Sequence, residues 1–166
     1  MTVVLECLDP GSDHALALIA ELDGYLLELY PPESNHLDSI EELSRPHVYF
    51  IGAFEDSCAI GCGAVKLLDG YAEIKRIYIN PKYRGKGVGG LILSELEDIS
   101  RHAGLDIVRL ETGVRQPQAM LLFESKGYRK TGRFADYPDD PLSVFMKKRL
   151  RARTTANGSA GNQGNG

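Results

Sequence analysis

The chain has 166 residues, 43% of them hydrophobic, with a formal net charge of −4 and an isoelectric point near 5.6. That length and apolar content suit one domain with a real core, and the acidic balance excludes the broad basic footprint of a nucleic-acid binder. No apolar run approaches the roughly 20 residues of a membrane span, and the start, Met1-Thr2-Val3-Val4-Leu5-Glu6, lacks the form of a secretory leader.

Cys7, Cys58 and Cys62 are an odd set without C-x-x-C spacing, which fits free thiols in a reducing cytoplasm. His14, His36, His47 and His102 form no H-x-x-x-H pair, so no metal is expected.

In chain order, Val3 to Leu8 predicts a first strand, turned by Pro10-Gly11. Ser12 or Asp13 caps the helix that follows. Its apolar stripe is Leu16, Ile19, Leu22, Leu26 and Leu29. Tyr30-Pro31-Pro32 ends it, because a proline biases the residue before it away from helical angles. A short helix over His36 to Leu43 comes next, opened by Ser34 or Asn35.

His47 to Phe54 and Ala59 to Leu67 are strands, and Asp69-Gly70 is a compact hairpin leading into a strand from Glu73 to Ile79. Gly61 and Gly63 share one strand face, where missing side chains relieve packing. Asn80-Pro81 stops the strand. A helix begins at Val88 and buries Ile92, Leu96 and Ile99, with Gly104 past its end. Asp106 to Thr112 is a strand and Pro117 to Lys126 a helix. Tyr128 to Thr131 and Ser143 to Arg149 make a terminal antiparallel pair around the long loop Phe134 to Pro141. From 151 to 166 the chain is small, polar and glycine-rich, so a domain over 1–150 with a disordered tail is expected.

Between strand and helix lies Arg84-Gly85-Lys86-Gly87-Val88-Gly89-Gly90. The first amides of a helix lack internal acceptors and carry partial positive charge. Glycines let that backbone approach an anion, and two basic residues add full charges. A phosphate-bearing ligand follows. The P-loop pattern is absent. A dinucleotide fingerprint is literally present as Gly85, Gly87 and Gly90, but too little chain follows for the βαβ repeats it requires.

A third pattern, R/Q-x-x-G-x-G/A, is met by Arg84, Gly87 and Gly89. With the strand before it and the helix after it, it resembles the acetyl-CoA site of the GNAT N-acetyltransferases. Ala119 to Tyr128 is similar to that family's A-x-x-L-Y-E-x-x-G-F segment, and Gly52 to Val65 to its central hairpin. Tyr30-Pro31-Pro32-Glu33-Ser34, Leu110-Glu111-Thr112-Gly113 and Phe134-Ala135-Asp136-Tyr137 are similar to the bacterial YsnE-type single-domain subgroup, sometimes labelled indole-acetic-acid acetyltransferase.

The resemblance implies an α+β, three-layer fold with a mixed, mostly antiparallel sheet of about six to seven strands flanked by about four helices. It implies transfer of an acetyl group from acetyl-CoA to the primary amine of a small molecule, by direct attack on the thioester. Glu73, eleven residues (84 − 73) before the loop arginine, takes the family's general-base position. Ile77, Tyr78 and Ile79 would hold pantetheine, and Arg84, Gly85, Lys86, Gly87, Val88, Gly89 and Gly90 the pyrophosphate. Gln116 and Phe123 would complete the cofactor wall.

Tyr30, Glu33 and His36 are acceptor contacts, or else part of a proline-stiffened surface turn. Many family members carry a tyrosine where this chain has Phe123, and that phenol protonates the departing thiolate. Tyr137, in the long loop, is the preferred substitute, with Tyr128 and water as alternatives. A catalytically weak acetyl-CoA sensor and a protein N-acetyltransferase remain as competing functions. An exposed terminal strand leaves a homodimer open.

Overall fold

The computed structural model describes residues 1–152. The expected tail therefore lies, from residue 153 onward, outside the described residues. A seven-stranded sheet runs in the order β1-β2-β3-β4-β5-β7-β6. Its strands are β1 (Val4–Cys7), β2 (Val48–Glu55), β3 (Cys58–Leu67), β4 (Ala72–Ile79), β5 (Ile107–Gly113), β6 (Arg129–Thr131) and β7 (Ser143–Arg149). Every pairing is antiparallel except β4 with β5.

Four α-helices cover the two faces: α1 (Asp13–Leu29), α2 (Ile40–Leu43), α3 (Val88–His102) and α4 (Pro117–Ser125). One core packs Val88, Ile92, Leu93 and Leu96 of α3 and Phe123 of α4 against Ile74, Val108, Leu110 and Met146. A second packs Leu18, Ile19, Leu22 and Leu26 of α1 and Leu43 of α2 against Phe50, Cys62, Ala64 and Tyr78. The result is the expected three-layer α+β arrangement.

Local signals explain most boundaries. Ser12 caps α1 by accepting from the Ala15 N–H. The buried stripe of α1 is Ala15, Leu18, Ile19, Leu22 and Leu26, whereas Leu16, expected inside, is 42% exposed. A Cβ at Gly61 or Gly63 would collide with Ile79, Ile77 or Ile92, so those glycines do let β3 pack closely.

The second helix is the clear departure. A short 3-10 turn forms at Pro32–Ser34, and α2 begins only at Ile40, capped by Ser39. The carbonyl of His36 accepts from Lys75 Nζ at 3.4 Å, and that of Asp38 from Arg76 at 2.7 Å. Two buried cations thus claim carbonyls that a helix from His36 would have used internally.

One distortion interrupts the sheet at β4. Lys75 to Tyr78 on β4 spans the interval from Ala64 to Cys62 on β3, one residue too many. The surplus is a bulge, with Arg76 at φ 58°. Pairing between β4 and β5 covers only Ala72–Ile74 against Val108–Leu110. Beyond it β4 runs on to Ile79 and β5 to Gly113, and the two strands part.

Candidate active site

Two cavities occupy the gap where β4 and β5 separate. The outer is a cleft of about 840 Å³ between the far half of β4, the turn into α3 and the start of α4. It is lined by Ile77, Tyr78, Ile79, Arg84, Gly85, Gly87, Val88, Gly89, Gly90 and Gln116, and also by Leu22, Tyr25, Leu121 and Leu122. The inner is a chamber of about 100 Å³ beneath α1 and the 30–37 segment. Leu22, Ile77, Gln116 and Ala119 line both, so the two meet there.

The outer cleft carries helix-start amides and an arginine at one end. Gly87 opens α3 in the left-handed region, at φ 82°, which an L side chain resists. That turn leaves the first amides of α3 without carbonyls behind them. Arg84 Nε donates to the Ile79 carbonyl at 2.9 Å, and its guanidinium lies over the rings of Tyr25 and Tyr78 at 5.3 and 5.9 Å. This stacking holds a full positive charge beside the turn. Of the residues assigned to this wall from sequence, Lys86 and Phe123 do not line the cleft. Lys86 stands over the Tyr83 ring, and Phe123 faces the inner chamber.

The inner chamber has polar walls. Tyr30, Ser34, Asn35, His36, Lys75, Glu111, Gln116 and Ser143 line it, backed by Leu26, Ile74, Leu110 and Phe123. Glu33 is exposed on the 3-10 turn and lines neither cavity. His36 sits 3.7 Å from Asp140 and edge-on to Tyr137. Glu111 is the carboxyl inside the chamber. Burial pushes it up to about 7, offset in part by nearby Lys75 and a hydrogen bond from Ser143, while Glu73 and Asp140 push the same way as burial.

Glu73 lies elsewhere. It is 4% exposed and lines neither cavity. The Tyr137 hydroxyl donates to its carboxylate at 2.5 Å, and Lys75 Nζ is 3.8 Å away. Lys75 Nζ also donates to Tyr137 Oη at 2.7 Å. Tyr137 is packed edge-on against Phe134 and Phe145, and burial together with the Glu73 carboxylate raises its phenol strongly. Tyr128 is fully buried on the opposite face, its hydroxyl 3.4 Å from Glu97.

The sequence therefore brought together the anion turn, β4 and Gln116, but missed Glu111, Lys75 and Ser143. The signal for Glu111 was the one carboxylate in β5, placed between Leu110 and Thr112 shortly before Gly113. Its inward direction depended on a splay that no spacing reveals.

The model of the acetyltransferase (GNAT) family matches residues 15–128. The chain belongs to that family. It is 42% identical to an IAA acetyltransferase of Azospirillum brasilense, over 85% of this chain and 94% of the relative. It is 38% identical to the N-acetyltransferase YsnE of Bacillus subtilis, whose own role is uncharacterized, over 72% and 82%. Among solved structures it resembles a Klebsiella pneumoniae protein named for acyl-CoA N-acyltransferase chemistry, with 34% identity, TM-score 0.77 and coverage of 90% and 99%. The PaiA N-acetyltransferase of Thermoplasma acidophilum, solved with coenzyme A, shares the fold at TM-score 0.68 and 22% identity, covering 90% and 100%.

No helix among the described residues is long and apolar enough to cross a membrane. None of their His, Cys, Asp and Glu side chains form a group able to hold a metal ion.

Proposed function

We propose that this enzyme transfers an acetyl group from acetyl-CoA to the primary amine of a small molecule held in the inner chamber. The observation that carries this reading is the junction of two cavities. One is suited to a phosphorylated thioester, and the other holds a carboxyl raised to about 7. The cleft suits the donor: it is roomy, at about 840 Å³, and it has free amides and a stacked arginine at one end. The unpaired edge of β4 at Ile77–Ile79 accepts pantetheine as an added strand, and one of its N–H groups stabilises the thioester oxygen as charge develops.

Acetyl-CoA supplies an activated acyl group, so the protein's work is positioning and proton handling. A protonated amine has no lone pair. Glu111 removes that proton, because it faces the chamber and titrates near the operating pH. Glu73, first in line from sequence, takes a supporting part: it anchors Lys75 and Tyr137 behind the chamber wall. The chamber's modest size, about 100 Å³, supports a small acceptor.

The test is a thiol-release assay over a panel of small amines. Glu111→Gln should lower kcat by about 100-fold, the scale of a lost general base, with coenzyme A binding kept. Glu73→Gln should cost less. If the two effects are reversed, the base returns to Glu73. Phe123, which brings no donor to the chamber, favours the competing role of an acetyl-CoA sensor. Tight coenzyme A binding without turnover on any amine would select that role.

A further inference from the structure

The chamber has a phenol of its own. Tyr30 is the last residue before Pro31-Pro32, and its ring is buried at the end of α1. Its hydroxyl is fixed from three sides. The main-chain N–H of Arg115 donates to it at 3.0 Å. It donates to Gln116 Oε1 at 3.2 Å. Its tip lies on Gly113, where a Cβ would have no space.

These contacts place the proton. The Arg115 amide occupies a lone pair on the phenol oxygen, so the O–H is directed at Gln116. Gln116 is one of the residues lining both cavities. The Tyr30 proton is therefore one hydrogen bond from the place where thioester and amine would meet. The other candidates are committed elsewhere: Tyr137 to Glu73, Tyr128 to Glu97, and Phe123 has nothing to donate.

We propose that Tyr30 is the proton donor to the departing thiolate, held beside the junction by its hydrogen bond to Gln116 and released from it to reach the sulfur. This rests on the acetyl-transfer reading above. The acceptor nitrogen forms the new C–N bond with its lone pair. The C–S bond breaks and its electron pair goes to sulfur. The Tyr30 hydroxyl turns from Gln116 Oε1 to the sulfur and gives up its proton there, and the phenolate left behind, held by the Arg115 N–H, is reprotonated from solvent. The protons shed by nitrogen leave through Glu111. Ammonium and thioester thus give amide, thiol and one released proton.

Burial raises the Tyr30 phenol above its ordinary value, so its proton is present throughout the neutral range. A phenol near 10 giving its proton to a thiolate near 8.5 works uphill by about 1.5 pKa units or more. Much of the benefit is then the hydrogen bond to developing charge on sulfur, and a loss of about 10–100-fold in kcat is expected on its removal.

The experiment pairs two readouts on Tyr30→Phe. The first is the pH profile of kcat at saturating acetyl-CoA. The second, independent of turnover, is titration of the thiol of bound coenzyme A by its ultraviolet absorbance. The proposal expects kcat to fall about 10–100-fold, with the coenzyme A Kd unchanged and the bound thiol's pKa raised. A fluorinated, more acidic tyrosine placed at position 30 should instead bring the alkaline limb of kcat to lower pH, and it keeps the test open if Tyr30→Phe does not fold. An unaltered kcat and thiol titration in Tyr30→Phe, or an alkaline limb that ignores fluorination, overturns the proposal alone. A wild-type protein that binds coenzyme A but acetylates no amine removes the proposed function, and this inference with it.

Discussion

The site turns on how one carboxyl is held. Glu111 is raised by burial and by its neighbours Glu73 and Asp140, and lowered by Lys75 and Ser143. Lys75 is itself 10% exposed and donates to Tyr137 and His36. Removing its charge takes away the group that most favours the ionised carboxylate. Lys75→Met should therefore raise Glu111 further, and the acid limb of the rate profile should move to higher pH. A pH profile of kcat/KM checks this, and an unmoved limb would separate Lys75 from the base. Under the proposed reading, Tyr137 and Glu73 set the position of Lys75 through their contacts with it.

At the scale of elements, the turn into α3 and the bulge in β4 do different work. The turn presents amides, and its chemistry was legible because glycine at positive φ and a helix start both leave marks in sequence. Gly87→Glu tests it: a side chain at φ 82° strains the turn, and a carboxylate enters the proposed phosphate position. Coenzyme A binding should be lost in calorimetry, with the circular-dichroism spectrum of the fold retained. The bulge was not legible. Arg76 carries no sign of a left-handed conformation, and the surplus residue shows only in the register against β3. Glu73 pairs with Arg109 and so shares a sheet face with Glu111, and strand alternation does not tell the two carboxylates apart; the strands could be placed from sequence while the proposed base could not. The segment before α2 failed for a similar reason. Its propensity for helix was overridden by Lys75 and Arg76, which reach its carbonyls from β4 across about 40 residues of chain.

For the whole molecule, a carboxyl tuned for chemistry carries a cost in stability. Glu111 titrates near 7 in the folded chain, against about 4.3 for an unperturbed glutamate. Between those values the folded protein holds a proton that the unfolded chain has released. Stability contributed by this group is complete below about pH 4 and is lost as pH rises to about 7. The loss is on the order of 4 kcal/mol at most, and smaller because the group keeps some access to solvent. Glu111→Gln removes the titration and keeps the shape. Urea unfolding of both proteins at pH 5 and pH 7.5 should show the wild type losing ground to the variant as pH rises. Parallel changes in the two would mean that Glu111 is not held near neutrality, and the proton acceptor would have to be sought elsewhere in the chamber.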